Sequence, residues 1–276
     1  MSMSINNSTS GMNAYTSYLL EKKEKEKSME KLSSGLQINS AGDNPAGLAV
    51  SEKMRAEITM NKAAQFNTKM ASSAVKVAEG AMQSVNDMLV RATDLAMQSS
   101  NGTYTDVERN ALQLEMDSLV SEINRVAAST NFNGTALLDG SLAVEGLEFQ
   151  IGTSSDESIS VNIEGASTYV NIDASQMNIV TQEQAQEILE TLTEFVDKIT
   201  SQRAELGGTQ NRLDHTYSNL TNAGIQLQAS ESRIRDTDMA KESVNNSLRS
   251  VNSQSSISML KKAQEEKEGL LNILGS

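Results

Sequence analysis

Apolar residues spaced alternately by three and four run through most of this chain, a spacing that winds one apolar stripe along a helix. The longest stripe passes through Ala71, Ala74, Ala78, Ala81, Val85, Met88, Ala92 and Leu95 without a break. Its side chains are small, so it predicts a helix that its neighbours approach closely. Asn101-Gly102 then supplies a turn. Leu112, Met116, Leu119, Ile123 and Val126 form a second stripe on a shorter helix, begun by Thr105 or Asp106 with Glu108 or Arg109 in its first turn. This helix is predicted to fold back antiparallel on the first. Farther on the period changes to two, with Leu147, Phe149 and Ile151 on one run and Ile159, Val161 and Ile163 on another. Turn-forming residues from Gly152 to Asp156 join the runs, so a β-hairpin is expected, with Asn162 and Glu164 facing water. A third long helix begins near Gln182, with Ile188, Leu192, Phe195, Ile199 and Leu206 in its stripe. After Gly207-Gly208, read as a bend or a point of close packing, the stripe resumes with Leu213, Tyr217, Leu220, Leu227 and Ile234.

The two ends are helical in pattern, yet neither is long or apolar enough to be stable alone. Met12, Tyr15 and Leu19 start a face at the N-terminus, and Val244, Leu248, Val251, Leu260, Leu270, Leu271, Ile273 and Leu274 supply one at the C-terminus. Pairing the ends is expected to bury both faces in part, and burial across neighbouring copies of the chain would cover the rest. Between the first end and the long helix, Gly35 suits the position just past a helix end. Asn44 reads as an N-cap, and Pro45, the only proline in the sequence, as the first helical residue. Leu36 and Ile38 mark the stretch between them as a connector packed between helical layers. The fold class is therefore mainly α: a long antiparallel helical bundle or coiled coil over residues 46–235, with a small β-hairpin region at about 132–172. A terminal two-helix layer is built from residues 1–45 with 236–276.

Charge narrows the partners. A net charge of -13 leaves no broad basic surface for phosphates, so nucleic acid is an unsuitable ligand. With no cysteine, disulfides and thiolate metal sites are excluded. No basic stretch followed by an apolar core opens the chain, and no apolar run approaches the roughly 20 residues of a membrane span, so membrane insertion is not expected. The single histidine, His215, is followed by Thr216-Tyr217-Ser218-Asn219, which matches no zinc-peptidase helix and cannot complete a catalytic triad. Glu183, Glu187, Glu190 and Glu194 follow helical spacing and read as a solvated face. Several methionines, including Met88 and Met116, fall in the stripes and read as core fillers. Neither catalysis nor a cofactor is indicated.

Leu32-Ser33-Ser34-Gly35-Leu36 and Asp43-Asn44-Pro45-Ala46-Gly47-Leu48, within a block reaching Arg55, closely resemble the N-terminal signature of bacterial flagellins. Further blocks follow in the family's order: Asn131-Phe132-Asn133-Gly134, Leu137-Leu138-Asp139-Gly140, Gln202-Arg203-Ala204-Glu205-Leu206-Gly207, Asn211-Arg212-Leu213 and Glu231-Ser232-Arg233-Ile234-Arg235-Asp236-Thr237-Asp238. The resemblance implies a short family member without large outer domains, secreted unfolded through the flagellum's type III export channel by a disordered stretch near Met1 to Asn13. It further implies a helical homopolymer, the extracellular filament of the bacterial flagellum, with an export chaperone, a filament cap and hook-junction proteins as partners. Leu32, Leu36, Ile38, Leu260, Leu270, Leu271 and Leu274 are the expected self-assembly residues. By the same resemblance Arg91, Leu95 and Glu115 align with positions contacted by the vertebrate innate receptor Toll-like receptor 5, with Leu95 as apolar anchor. The sequence departs from the family at Gln37, at Asn44-Pro45, and from Ser247 to Gly269, where Lys261-Lys262 and Glu265-Glu266-Lys267-Glu268 stand. That charged stretch is expected to pair with the run from Glu21 to Lys31 inside the terminal layer. Two rival readings are a hook-associated junction protein and a helical signalling or adhesin module.

Overall fold

The computed structural model describes residues 9–142, 146–163 and 177–274. In chain order its elements are α1 (Thr9–Ser34), α2 (Pro45–Ser99), α3 (Asp106–Ser129), β1 (Asn131–Phe132), β2 (Thr135–Ala136), β3 (Leu147–Gln150), β4 (Ser158–Val161), α4 (Gln182–Arg235) and α5 (Met239–Leu274). A lone proline at the first position of α2 is what lets α2 and α4 run 55 and 54 residues, because nothing inside them removes a backbone donor. No described helix is long and apolar enough to cross a membrane. The chain forms two compact units, Glu57–Ile225 and Met1–Ala56 with Gln226–Ser276, and α2 and α4 contribute residues to both.

The core of the Glu57–Ile225 unit is one apolar cluster drawn from α2, α3, α4 and the β region. On α2 the expected stripe is inside, with Ala81 and Met88 only partly buried, and a second line, Val75, Met82, Leu89 and Ala96, is wholly buried beside it. A helix packed against more than one neighbour buries a band wider than a single three-four stripe. Met116, Val120, Ile123 and Ala127 face inward from α3, and Ile188, Leu192, Ile199, Leu206 and Leu213 from α4. Each of the larger side chains among these contributes about 1.5–3 kcal/mol relative to exposure.

The turn between α2 and α3 is closed by two devices. Thr105 is the N-cap of α3 and forms a capping box: its backbone N–H donates to Glu108 Oε2 at 2.8 Å, and the Glu108 N–H donates back to Thr105 Oγ1 at 3.4 Å. The Thr105 backbone amide, joined by the Thr105 hydroxyl, holds the Glu108 carboxyl below its ordinary value. Arg109, only 5% exposed, turns back to the end of α2 and donates to the carbonyls of Ser99 and Asn101.

β3 and β4 pair antiparallel with Phe149 opposite Ile159, as the alternating pattern predicts. Asn162 is exposed, while Glu164 lies outside the described residues. A second, two-residue hairpin joins β1 to β2 through Asn133 and Gly134, both at positive φ, the backbone form that Asn-Gly favours. Gly207-Gly208 neither breaks α4 nor admits a neighbour: a Cβ at either would meet nothing within 4 Å. Close approach occurs instead at Gly224, where a Cβ would stand 3.1 Å from Asn61 Oδ1 of α2. The N-terminal stretch expected to be disordered is helical from Thr9 onward, and its earlier residues lie outside the described ones.

Candidate assembly and recognition surfaces

The connector between α1 and α2 is built from the residues of the opening signature. Gly35 takes φ 74°, and its N–H closes α1 on the Lys31 carbonyl at 2.9 Å. Asp43 gathers the connector by accepting from the backbone N–H of Asn39 and Ser40 and from the Ser40 hydroxyl, at 3.0–3.2 Å. The Ser40 amide, reinforced by the other donors and Lys31, lowers the Asp43 pKa, so the acceptor form is the favoured one. Asn44 caps α2 by accepting the Gly47 N–H at 2.9 Å. Ile38 lies over the bare backbone of Gly47, so close that a Cβ there would stand 2.7 Å from Ile38 Cδ1. The connector also pairs with the α4–α5 link: Gln37 N–H donates to the Arg235 carbonyl at 2.6 Å, and Thr237 N–H to that of Gly35 at 2.9 Å. Arg235 reaches Glu52 at 2.6 Å and, with Arg55, holds that carboxyl below its ordinary value.

α1 and α5 pack against each other as an antiparallel pair, but not through their apolar faces. The least exposed positions of α1 are Gly11, Ala14, Tyr18, Glu21, Lys25, Ser28, Lys31 and Leu32, and those of α5 are Glu242, Asn246, Arg249, Ser250, Ser253, Ser256, Ile257, Leu260 and Ala263. Both sets follow the three-four spacing, with Leu32, Ser250 and Ile257 beside it, and both are largely small or polar. Glu21 accepts from Arg249 at 3.1 Å, Lys25 donates to Ser250 Oγ at 3.3 Å, and buried Ser28 lies against the Glu242 carbonyl. The expected mutual burial of Met12, Tyr15 and Leu19 with Val244, Leu248 and Val251 does not occur: all six are exposed. The stripe of α1 lies one residue, about 100°, around the helix from the seam. The terminal pair is thus polar within and apolar without.

The charged runs do not meet as expected either. Since Glu21 faces Arg249, the antiparallel register carries the stretch from Lys261 to Glu268 past the lysine-rich run, and Lys262 and Glu266 border Asn13, Ala14, Ser17 and, of that run, Glu21 alone. Among the residues expected to drive assembly, Leu32, Leu36 and Leu260 are half-buried, and the side chains of Leu270, Leu271 and Leu274 lie outside the described ones. Ile38 is only 4% exposed, because it fills the space over Gly47; it packs the connector and presents nothing to a neighbour.

Arg91 on α2 and Glu115 on α3 are brought together, the guanidinium donating from Nη2 at 2.7 Å and from Nε at 2.9 Å to Oε1. Both side chains are about half exposed (49% and 45%). Leu95 departs from the expected anchor, since it is wholly buried in the core cluster and one face of α2 cannot both line the bundle and meet a partner. The exposed apolar side chains nearest in sequence are Val90, Met97 and Leu114. His215 and the four α4 glutamates are exposed, as their helical spacing implies.

The chain matches the model of the bacterial flagellin N-terminal helical region over residues 5–143, and that of the C-terminal helical region over residues 189–274. A flagellin of Halalkalibacterium halodurans is 39% identical over 277 residues, covering 99% of this chain and 100% of the relative. Among solved structures, Bacillus cereus flagellin superposes with a TM-score of 0.51 at 30% identity, over 56% of this chain and 88% of that one. A Vibrio parahaemolyticus protein assigned as flagellar hook-associated superposes with a TM-score of 0.61 at 17% identity, over 70% of this chain and 100% of that one. At that identity the second likeness is one of fold alone.

Proposed function

Because this chain belongs to the bacterial flagellin family, we propose that it is a structural subunit that polymerises into the extracellular flagellar filament and serves swimming motility. The observation that carries the mechanism is the terminal pair. Its inner seam is polar and its outer stripes are apolar, so the single chain leaves unburied the surface that would stabilise it. Copies stacked head to tail cover those stripes, and contacts of this kind that do not close into a ring propagate as a helix. The same stripes need cover before assembly, which an export chaperone would give. The filament cap and hook-junction proteins would meet them at the two ends of the polymer. A hook-associated role shares the fold, but the identity over the full length is to a flagellin. Seeded with filament fragments, the purified chain is expected to grow long filaments visible by negative-stain microscopy, and trimming α1 and α5 is expected to abolish growth. Intact chains that stay single under seeding would refute the reading.

We also propose that the Arg91–Glu115 pair contributes to recognition by Toll-like receptor 5. An exposed ion pair contributes about 0.2–1 kcal/mol to the chain that carries it, so Arg91 can exchange Glu115 for a receptor carboxylate at small cost. Apolar contact would come from the exposed side chains nearby and not from Leu95. Arg91→Ala is expected to weaken binding of the unassembled chain to the receptor ectodomain about tenfold or more, as for a central interface arginine. Calorimetric titration showing unchanged affinity would remove the receptor and leave the filament reading intact.

A further inference from the structure

We propose that Met12, Met29 and Met259 are modification sites for small hydroperoxides whose oxidation arrests assembly, an inference that rests on the polymerising reading above. All three thioethers point outward from α1 and α5, and they are 63%, 54% and 62% exposed. Met12 and Met29 share the stripe of Tyr15 and Leu19, and Met259 shares that of Val244, Leu248 and Val251. Met259 also borders Asn13 and Ala14, so it stands level with Met12 in the antiparallel pair. In the other unit Met82, Met116 and Met177 are at most 2% exposed, inside the core, while Met60, Met70 and Met97 are exposed but lie off the terminal stripes. One molecule therefore carries two classes of thioether, one open to a small oxidant and one closed.

The chemistry is a two-electron transfer. The sulfur lone pair attacks the distal oxygen of the hydroperoxide, the O–O bond breaks, and an S=O bond forms. Sulfur is oxidised, and the peroxide is reduced to water or, from an alkyl hydroperoxide, to an alcohol. The product is a polar, chiral sulfoxide on a stripe that a second copy must cover. Its oxygen leaves water on assembly and finds no donor there, so the copy-to-copy contact weakens. Leu19, Leu248 and Val251 offer the same apolar surface without this chemistry. The sites also have a direction in time: the thioethers are accessible in the free subunit and covered once it is assembled.

The test treats the full chain with hydrogen peroxide, maps the sulfoxides by mass spectrometry and measures the critical concentration for seeded growth by light scattering. Oxidation is expected at Met12, Met29 and Met259 and absent at Met82, Met116 and Met177. The critical concentration is expected to rise about tenfold or more, the effect of one poorly satisfied buried polar group per contact. Filaments grown first and treated afterwards should keep the three thioethers. In the variant M12L/M29L/M259L peroxide should leave the critical concentration at that variant's own untreated value, although Met60, Met70, Met97 and Met239 remain exposed in it. An oxidised chain with an unchanged critical concentration overturns the proposal, and so does a triple variant that peroxide still arrests. An untreated chain that forms no filaments fails the function itself and takes this proposal with it.

Discussion

A chain carrying Leu248→Asp and Val251→Asp is expected to stay single at concentrations where the parent chain grows filaments. The two side chains are 56% and 65% exposed on the face of α5 that turns away from the seam with α1, so the substitutions cost the isolated chain little. Assembly is another matter, because a carboxylate taken out of water without a partner is far more costly than the apolar contact it replaces. Two such groups per subunit, repeated at every contact, should raise the critical concentration at least about a hundredfold, which corresponds to about 2.8 kcal/mol. Circular dichroism and thermal unfolding of the Glu57–Ile225 core should be unchanged, since none of that core is touched. The alanine pair should give a smaller rise, as it removes apolar area without introducing charge. Filaments of the aspartate variant forming at the parental concentration would show that the outer stripe of α5 is not an assembly face.

That expectation depends on a feature the sequence conceals. Three-four spacing at Met12, Tyr15 and Leu19 was legible, and so was its counterpart at Val244, Leu248 and Val251, but the pattern does not say what each stripe faces. An apolar stripe is ordinarily the seam, and in α2 and α3 that rule holds. At the chain ends the rule inverts, because the seam is made by Glu21, Lys25 and Ser28 with Arg249 and Ser250, whose polarity hides them from any search for apolar periodicity. The bundle was more transparent. The α2 stripe, the Thr105 cap and the β3–β4 register follow from local chemistry that the fold only needs to accommodate. The second buried line of α2 does not, since it records how many neighbours the helix has. Leu95 carries two readings in the sequence, as the last member of the α2 stripe and as an anchor one turn from Arg91, and the bundle takes it for the stripe.

Arg109 shows the same limit inside the core, and it carries the largest expected effect on stability. The sequence places it in the first turn of α3, where it reads as one of several polar residues near a helix start. In the structure its guanidinium, nearly enclosed, supplies donors to the Ser99 and Asn101 carbonyls at the end of α2. The Ser99 carbonyl is one of the orphan acceptors at the negative pole that every helix leaves at its C-terminus, so a buried cation there satisfies both, while the Asn101 carbonyl lies in the turn beyond and also accepts from the Tyr104 N–H at 3.3 Å. Ser99 is itself wholly buried and donates to the Ile179 carbonyl, which ties the segment before α4 to the same corner. Gln113 adds to that tie by donating to Met177 and accepting from Ile179, at 2.9 Å and 2.6 Å. Arg109→Met keeps the apolar stem and removes every donor. Leaving the buried Ser99 carbonyl without its partner costs about 1–3 kcal/mol, and the loss of the helix-end charge adds up to about 2 kcal/mol. A total of about 3 kcal/mol would lower the melting midpoint of this unit by roughly 6–12 °C, by the scaling for domains of its size. Arg109→Lys should fall between, because one ammonium cannot serve both carbonyls as a planar fork does. Thermal unfolding followed by circular dichroism is the measurement, and a midpoint shift under about 2 °C for the methionine variant would mean that water replaces the guanidinium at this corner and that the turn is held by the Thr105–Glu108 capping box alone.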